Sequence, residues 1–554
     1  MAIAAAVGTG IGAHALAQAL PDAGTTLRQL EPPVITLPRK PPPAIEFSTP
    51  APPVLEPAPA IRFTLSSFRI VGATVFTALE LQALLQEYVG REVGIAELGE
   101  AVGRITGFYT ERGYPLATAY LPAQSIERGV AEIVVLEGRY GKVQFRNRAN
   151  VNDSTIASYL QGLQGLVVED AALERQLLLL YDLAGVAPGR AVLSPGEEVG
   201  ETDLRVELEP GRRVAGTVEL DNHGSRFSGA NRVSAQLDWF SPARFGDLLS
   251  VRAAKGDPGL EYARIGYDMP VFAQGLRIGG AYSHVEYRLG EAFAALGASG
   301  EADSQSLHAS YPILRSRKHN LNGRLGYERR QLQDRIDATA TVTDRQSGAT
   351  TLTLSGDYFD ALGAGAASAY SLGFTGGALR IDSPAAKAID DTTARTHGSF
   401  RRWNLSYARQ QGITDRTALF VSLTVQKAGK NLDSSEKLIL GGINGVRAYP
   451  QGEAPGDSGV LVTAELRHAF GMSALPGDWQ AAGFIDTGAV KINEEPFAAV
   501  ANRRRLSGAG VRLDWSRTND FTLRLVLAHR IGDEPATAGR DSKARGWLQA
   551  IKHF

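Results

Sequence analysis

The C-terminal part of this chain repeats short stretches of alternating polarity, and no segment of it holds the roughly 20 consecutive apolar residues of a membrane helix. Val214, Gly216, Val218 and Leu220 alternate with Ala215, Thr217, Glu219 and Asp221. Leu419, Val421, Leu423 and Val425 alternate with Ala418, Phe420, Ser422 and Thr424. The same beat returns in Val462, Ala464 and Leu466 against Thr463, Glu465 and Arg467, and in Leu523, Leu525 and Leu527 against Arg524, Val526 and Ala528. A period of two belongs to a strand, because successive side chains leave opposite faces of the pleat. A soluble sandwich shows the same alternation with its apolar face inward, so the pattern alone leaves sandwich and membrane barrel open.

Three further features favour a membrane β-barrel over 212–554. The run of about 340 residues has no helical interruption, a length that fits about sixteen antiparallel strands. Its connections are unequal: 411–416 and 517–520 are tight and polar, whereas 296–304, 363–367 and 429–459 are longer or glycine-rich, the asymmetry expected between short turns and external loops. The chain ends on Phe554 after Trp547, Leu548, Ala550 and Ile551. That ending resembles the terminal strand by which bacterial barrel proteins are recognised for insertion.

Upstream, 2–19 is apolar and rich in small residues, and Ala15-Leu16-Ala17 ahead of Gln18 has the form of a signal-peptidase site, so 1–17 reads as a signal peptide. In 18–31, Asp22 is placed to cap a short helix carrying Leu27 and Leu30. From Pro32 to Pro59 the prolines are too dense for a packed core, and 32–60 reads as an extended linker or as a disordered tail. Two β-α-α-β-β units follow. In 61–138, alternating Phe63, Leu65, Phe68 and Ile70 precede a Thr77-capped helix with Leu81, Leu84, Leu85 and Tyr88. A second helix carries Ile95, Leu98, Val102, Ile105 and Tyr109, and strands at 115–121 and 130–136 close the unit. In 139–211 the order recurs, with Val143 and Phe145 in a strand, Ile156, Tyr159, Leu160 and Leu163 in one helix, and Leu173, Leu177 and Leu180 in the next. Strands at 191–193 and 204–208 end it.

Composition excludes several functions. A net charge of -1 offers no basic surface for nucleic acid. Zero cysteines remove thiol catalysis, disulfides and thiolate metal sites, and suit the bacterial periplasm. The nine histidines form no ligand cluster, His468 and His529 fall within strand patterns, and no Ser/His/Asp set or nucleophile elbow occurs. Neither a metal site, a cofactor nor an enzyme activity is expected.

The tandem units resemble the periplasmic polypeptide-transport-associated (POTRA) repeats of outer-membrane translocators. Together with the loop sequence Gly445-Val446-Arg447-Ala448-Tyr449-Pro450, they resemble the TpsB transporters of two-partner secretion, the hemolysin secretion/activation (ShlB/FhaC/HecB) type. The loop tetrad of that family is Val-Arg-Gly-Tyr. Here Ala448 replaces the glycine, which argues against a left-handed or close backbone approach, since φ above zero is unfavourable for alanine. A second family motif, Phe-x-Asp-x-Gly, is matched by Phe484, Asp486 and Gly488, which share one strand face. The resemblance implies that this face is the lumen and that the loop folds inward, so that Val446, Arg447 and Tyr449 lock against it and Arg447 meets Asp486. Asp221-Asn222-His223-Gly224-Ser225-Arg226 also resembles a family segment, although a polar hairpin turn explains it equally well.

The resemblance further implies a translocator of the bacterial outer membrane that needs no nucleotide. Its POTRA units would sit in the periplasm and capture an unfolded adhesin- or hemolysin-like exoprotein with an N-terminal secretion domain. Its N-terminal helix would plug the resting pore. Outer-membrane lipid and, during biogenesis, the barrel assembly machinery acting on Phe554 would be its other partners. The alternative is a barrel insertion factor of the same superfamily, which commonly has more POTRA units and lacks the plug. A plain diffusion porin would need neither domain.

Overall fold

The computed structural model describes residues 20–30, 37–38, 46–47, 62–472 and 476–554. The proposed signal segment 1–17 and nearly all of the Pro-rich stretch 32–60 lie outside the described residues. The N-terminal helix, α1, is Ala23–Leu30. Asp22 caps it: its Oδ1 accepts the Thr25 amide at 2.9 Å. The chain divides into two compact units, one formed by the described residues of Pro42–Arg212 with Ala243–Gly246, the other by those of Met1–Pro41, Arg213–Pro242 and Asp247–Phe554.

The smaller unit contains the two α+β repeats. In the first, the central strand Val130–Leu136 runs parallel to Ser67–Val71 and antiparallel to Thr118–Tyr120. Over this sheet pack α2 (Ala78–Ala83) and α3 (Ile95–Glu111). Thr77 caps α2 through a reciprocal bond with Glu80, and Leu98, Ala101, Ile105 and Tyr109 form the buried stripe of α3. Ile95, at the first position of α3, is exposed instead of joining that stripe. The anticipated first strand is split, because Phe63–Thr64 pairs with Glu92–Val93 while Ser67–Val71 joins the main sheet.

In the second repeat, Glu201–Pro210 is central, parallel to Arg139–Asn147 and antiparallel to Val186–Pro195. Its helices are α4 (Asp153–Leu160) and α5 (Asp170–Tyr181). Glu46–Phe47 adds one more parallel strand to the edge of Val186–Pro195.

The larger unit is a closed barrel of sixteen antiparallel strands. The first half comprises β1 (Val214–Asp221), β2 (Gly229–Phe240), β3 (Leu248–Pro258), β4 (Leu260–Pro270), β5 (Arg277–Arg288), β6 (Ala298–Arg315), β7 (His319–Ile336) and β8 (Thr341–Asp360). The second comprises β9 (Ala366–Ile381), β10 (Gly398–Gly412), β11 (Thr417–Ala428), β12 (Ser458–Phe470), β13 (Asp478–Lys491), β14 (Arg503–Arg517), β15 (Phe521–Arg530) and β16 (Ala544–His553). Closure pairs β1 with β16, and Phe554 extends the seam: its amide donates to the Gly216 carbonyl at 3.0 Å and its carbonyl accepts the Gly216 amide at 2.9 Å. Gly216 leaves the space that the Phe554 ring covers, since a Cβ there would meet the ring and turn it aside.

The greasy face points outward. Val251, Ile265, Leu307, Leu352, Ile485 and Val511 are exposed, whereas Arg330, Glu465, Asp486 and Arg530 are buried inside. A water-soluble sandwich would show the reverse, so the barrel exterior is built for lipid. At the end carrying Val214 and Phe554, the rings of Phe470, Trp479, Trp515 and Phe521 contact in sequence at centroid distances of 6.1, 6.3 and 6.0 Å. Such a belt suits a membrane interface, where an amphipathic ring meets both hydrocarbon and headgroup. Among the described residues no helix is long and apolar enough to cross a membrane.

Connections differ from expectation in three respects: Pro384–Thr392, between β9 and β10, is a helix within the run read as uninterrupted, 298–304 of the loop expected at 296–304 is the start of β6, and one glycine-rich segment is a tight turn. The glycine-rich 363–367 lies in the tight turn between β8 and β9, at the same end as the short turn between β10 and β11. Gly363 and Gly365 have φ of +62 and +86°, so these glycines serve a sharp reversal and not an open loop.

Candidate functional site

The long connection between β11 and β12 folds into the lumen. It carries a short 3-10 turn at Ser434–Glu436 and a ladder in which Leu438–Ile439 pairs with Pro455–Gly456, leaving a narrow tip. Within the tip the Val446 amide donates to the Leu440 carbonyl at 2.7 Å and the Tyr449 amide to the Val446 carbonyl at 3.0 Å. These bonds present Arg447 to the wall.

Arg447 meets Asp486 on β13. Its Nε and one terminal nitrogen each donate to the carboxylate at 2.8 Å, and its backbone amide adds a third bond at 3.1 Å. The other terminal nitrogen reaches Glu465 on β12 at 2.6 Å, and the guanidinium lies 3.4 Å from the Phe484 ring centroid. Asp486 is fully buried, with Thr463 donating to it at 2.9 Å. A bidentate, dehydrated pair of this kind gains strength and orientation that a surface pair lacks. Glu465 is shared with Arg512 on β14 and Arg467 on β12, both at 2.7 Å. Trp547 on β16 donates to the Arg447 carbonyl at 2.8 Å, so the tip touches β12, β13 and β16 through one residue.

The neighbouring residues fill the space around this pair. Val446 and Tyr449 are buried with Leu440, Phe484, Leu506 and Trp547, and the Tyr449 hydroxyl donates to the Glu534 carbonyl at 2.9 Å. Gly488 makes room for the loop, since a Cβ there would lie 2.9 Å from Leu440 Cδ2. Ala448 keeps a negative φ, as its side chain demands. The close approach thought incompatible with it does occur: a Cβ at Gly508 of β14 would sit 2.5 Å from the Ala448 methyl. The missing glycine of the loop is thus matched by a glycine on the wall.

Four more anchors hold the loop, and none stands out in the sequence. Glu436 pairs with Arg330 on β7 and Arg402 on β10, both at 2.7 Å. Glu453 pairs with Arg504 on β14 and accepts the Thr537 and Ala538 amides at 2.8 and 2.7 Å. Asp457 pairs with Lys437 at 2.7 Å and accepts the Leu432 and Glu494 amides. Asp433 pairs with Arg345 on β8. The residues involved are ordinary lumen-facing charges until the chain closes, which is why alternation alone does not single them out.

The helix α1 occupies the same lumen. Ala23, Leu27 and Leu30 pack against Leu260, Tyr262, Val285, Tyr287 and Leu332 of the wall. The Ala23 amide donates to Asp334 on β7 at 2.8 Å, and Asp22 accepts the Ser434 hydroxyl of the loop at 2.6 Å while pairing with Arg345 at 3.1 Å. Gly24 allows the contact with the loop, because a Cβ there would lie 2.8 Å from the Ser435 amide nitrogen. Helix, loop and wall therefore form one buried hydrogen-bonded system. A single removed partner leaves a stranded charge.

Glu219, Asp221 and His223 lie close enough to share a cation, with ligand atoms within 4.8 Å of one another. Arg232 already contacts Asp221 at 3.0 Å and Gln549 donates to Glu219 at 2.6 Å, so the group serves the seam between β1, β2 and β16.

Residues 200–514 match the haemolysin secretion/activation protein ShlB/FhaC/HecB family, and 63–138 match the ShlB-type POTRA domain. The heme/hemopexin transporter protein HuxB of Haemophilus influenzae is 26% identical over 569 residues, covering 100% of this chain and 98% of that protein. Among solved structures, CdiB from Escherichia coli superposes with a TM-score of 0.74 at 21% identity, covering 92% of this chain and 93% of CdiB. BamA from Haemophilus ducreyi lacking POTRA domains 1-3 is more distant, with a TM-score of 0.50 at 15% identity, covering 89% of this chain and 100% of that one.

Proposed function

The chain belongs to the haemolysin secretion/activation protein family, and from that membership we propose how its parts divide the work of exporting a partner protein across the outer membrane. The barrel is the outer-membrane translocator and the POTRA units face the periplasm. The end of the barrel carrying Val214 and Phe554 accordingly lies on the periplasmic side, and the long loop enters the lumen from the cell surface.

The POTRA units capture the unfolded partner in the periplasm, by addition of an extended segment to a sheet edge. The parallel strand that Glu46–Phe47 adds to Val186–Pro195 supports this, since it demonstrates the fit of an extended segment at such an edge. The cargo is a large secreted exoprotein with an N-terminal secretion domain, in line with the transport functions carried in the names of HuxB and CdiB. Passage uses no nucleotide and is helped by folding outside. Phe554 acts as the terminal signal read by the barrel assembly machinery, and the exposed apolar belt is solvated by outer-membrane lipid.

The observation that carries the reading is the lumen itself. It is filled by α1 and the loop, both held by ion pairs and hydrogen bonds to the wall, so the channel is shut by parts that can leave without breaking the barrel. A barrel insertion factor is the second reading, and the lower likeness to BamA than to CdiB weighs against it. Removal of 61–211 tests the assignment. Secretion of the exoprotein that the intact chain exports should cease while a heat-modifiable barrel remains in the outer membrane. Continued secretion would overturn it.

A further inference from the structure

The outer surface of the barrel is not evenly charged where it leaves the membrane. On the periplasmic belt, Trp479 of β13 and Trp515 of β14 are direct register partners. Ten residues along β14 from Trp515 stands Arg505, whose partner Ala489 is ten residues along β13 from Trp479. A tilted barrel strand crosses the hydrocarbon in about 9–11 residues. Between the two levels the outward residues Val511, Leu513 and Ile485 are exposed and apolar. Arg505, and Arg503 with its partner Lys491 one outward step beyond, therefore stand at the headgroup level of the outer leaflet.

Arg503 and Arg505 are exposed and make no ion pair among the described residues. Lys491 has Glu494 at 3.2 Å, but the same carboxylate also serves Lys427 at 2.6 Å. Lys491 lies directly across from Arg503 but its ammonium is turned to Glu494, donating also to that residue's backbone carbonyl at 2.5 Å, so the two arginines are the cations left open. On the other side of the barrel, Glu261, Glu286 and Glu301 stand in one cross-strand row on the outer face of β4, β5 and β6. Charge on this rim therefore differs in sign between β4–β6 and β13–β14.

We propose that Arg503 and Arg505 form a binding site for the phosphate groups of the outer-leaflet glycolipid, lipopolysaccharide. Depth, unpaired guanidinium groups and charge all fit that occupant. A planar guanidinium binds phosphate oxygens in pairs, and a headgroup held from the side remains anchored by its own acyl chains against Ile485 and Val511. The site bears on the transport reading. Arg504, between the two arginines, points into the lumen and holds Glu453 of the loop, so one three-residue segment grips lipid outside and the loop inside. The inference rests on the outer-membrane placement of the barrel and not on the identity of its cargo.

Binding is tested on the full-length protein in detergent, titrated with purified bis-phosphorylated lipid A, with dephosphorylated lipid A and with inorganic phosphate, and read by native mass spectrometry. The phosphorylated lipid should bind, and Arg503→Gln combined with Arg505→Gln should weaken it by about tenfold or more. Arg503→Lys with Arg505→Lys, which keeps the charge, should fall between, and Glu286→Gln with Glu301→Gln should change nothing. Retained heat-modifiability confirms that each variant is folded, and where the glutamine pair is not, the lysine pair decides. Equal binding of dephosphorylated lipid, or undiminished binding in the arginine variants, overturns the site. Competition by inorganic phosphate at the lipid's own concentration overturns the lipid as its occupant.

Discussion

Arg345 on β8 contacts Asp22 of the lumen helix at 3.1 Å, while its other terminal nitrogen holds Asp433 of the inward loop. Asp334 on β7 shares the same guanidinium and accepts the Tyr287 hydroxyl at 2.6 Å. Three carboxylates from helix, loop and wall thus depend on one cation. Helix and loop cannot be released from this corner independently, because loss of either leaves the remaining acids to repel each other in a dehydrated site.

Replacement of Arg345 by Gln should loosen both parts of the closure. Breaking a buried ion network by removing one partner costs about 3–5 kcal/mol. The expected outcome in planar bilayers is a several-fold rise in open-channel occupancy, with the barrel still heat-modifiable. Conductance equal to the parent protein would show that Arg345 does not hold the closure.

Arg447→Lys keeps the charge and loses the paired geometry with Asp486. Lysine is a point donor and cannot span both carboxylate oxygens while also reaching Glu465. Secretion of the partner should fall about tenfold or more, the effect of some 1.4 kcal/mol or greater. Asp486→Asn should act alike, and the double change should be little worse than either single one. Additive losses would mean that the two residues act separately.

The Ala448 and Gly508 contact offers a compensation test. Gly508→Ala alone should displace the loop tip, since the new methyl would fall 2.5 Å from that of Ala448. Ala448→Gly alone should cost under about 1.5 kcal/mol, and the two together should restore the parent secretion level. Failure of the pair to restore what Gly508→Ala removes would place the packing elsewhere.

In the first POTRA unit, Glu137 is buried and accepts the Thr74 and Val75 amides at 2.6 and 2.7 Å and the Tyr109 hydroxyl at 2.9 Å. Burial alone would raise its pKa, but the bonds from Thr74, Val75 and Tyr109 outweigh it and hold the carboxyl below its ordinary value of 4.5. A depressed folded pKa gives stability that is complete above the unfolded value and is lost as pH falls through the folded one. Hydrogen exchange of the Thr74 and Val75 amides should therefore lose protection on acidification below that range, measured as the rate relative to the intrinsic rate at each pH. Glu137→Gln should quicken it at neutral pH and flatten the dependence. An unchanged exchange profile in the variant would remove Glu137 from this role.

Phe554→Ala should lower the heat-modifiable barrel recovered from outer membranes several-fold, since the ring that covers Gly216 at the seam is lost with the terminal aromatic. Recovery equal to the parent would leave the terminal aromatic without a part in assembly.

Much of the architecture is legible in the residues. Period-two alternation marks the strands, Thr77 and Glu80 mark a helix start, and Asp22 marks another, whereas the helix Pro384–Thr392 between β9 and β10 breaks a run that reads as uninterrupted. The fine breaks are not. Phe63 to Ile70 reads as one strand although its alternation slips by one residue between Leu65 and Phe68, and it divides there between two partners, a choice made by tertiary pairing. The glycines at 363 and 365 read as an open loop because composition does not reveal φ.

The site divides in the same way. Arg447, Tyr449, Val446, Phe484, Asp486 and Gly488 are visible through their motifs, and Arg447 does reach Asp486. Glu465, Glu436, Glu453, Asp433 and Arg345 carry no local signature, since each is one polar residue in an alternating strand or a polar loop. The sequence by itself determined which residues share a face, because the pleat imposes that over two residues. Which face meets lipid, and which charges meet across the lumen, such as Asp22 with Arg345 at a separation of 323 residues, was decided only when β1 closed on β16. Closure turns a list of lumen charges into neighbours within hydrogen-bond reach, and only at that range does burial make their pairing obligatory.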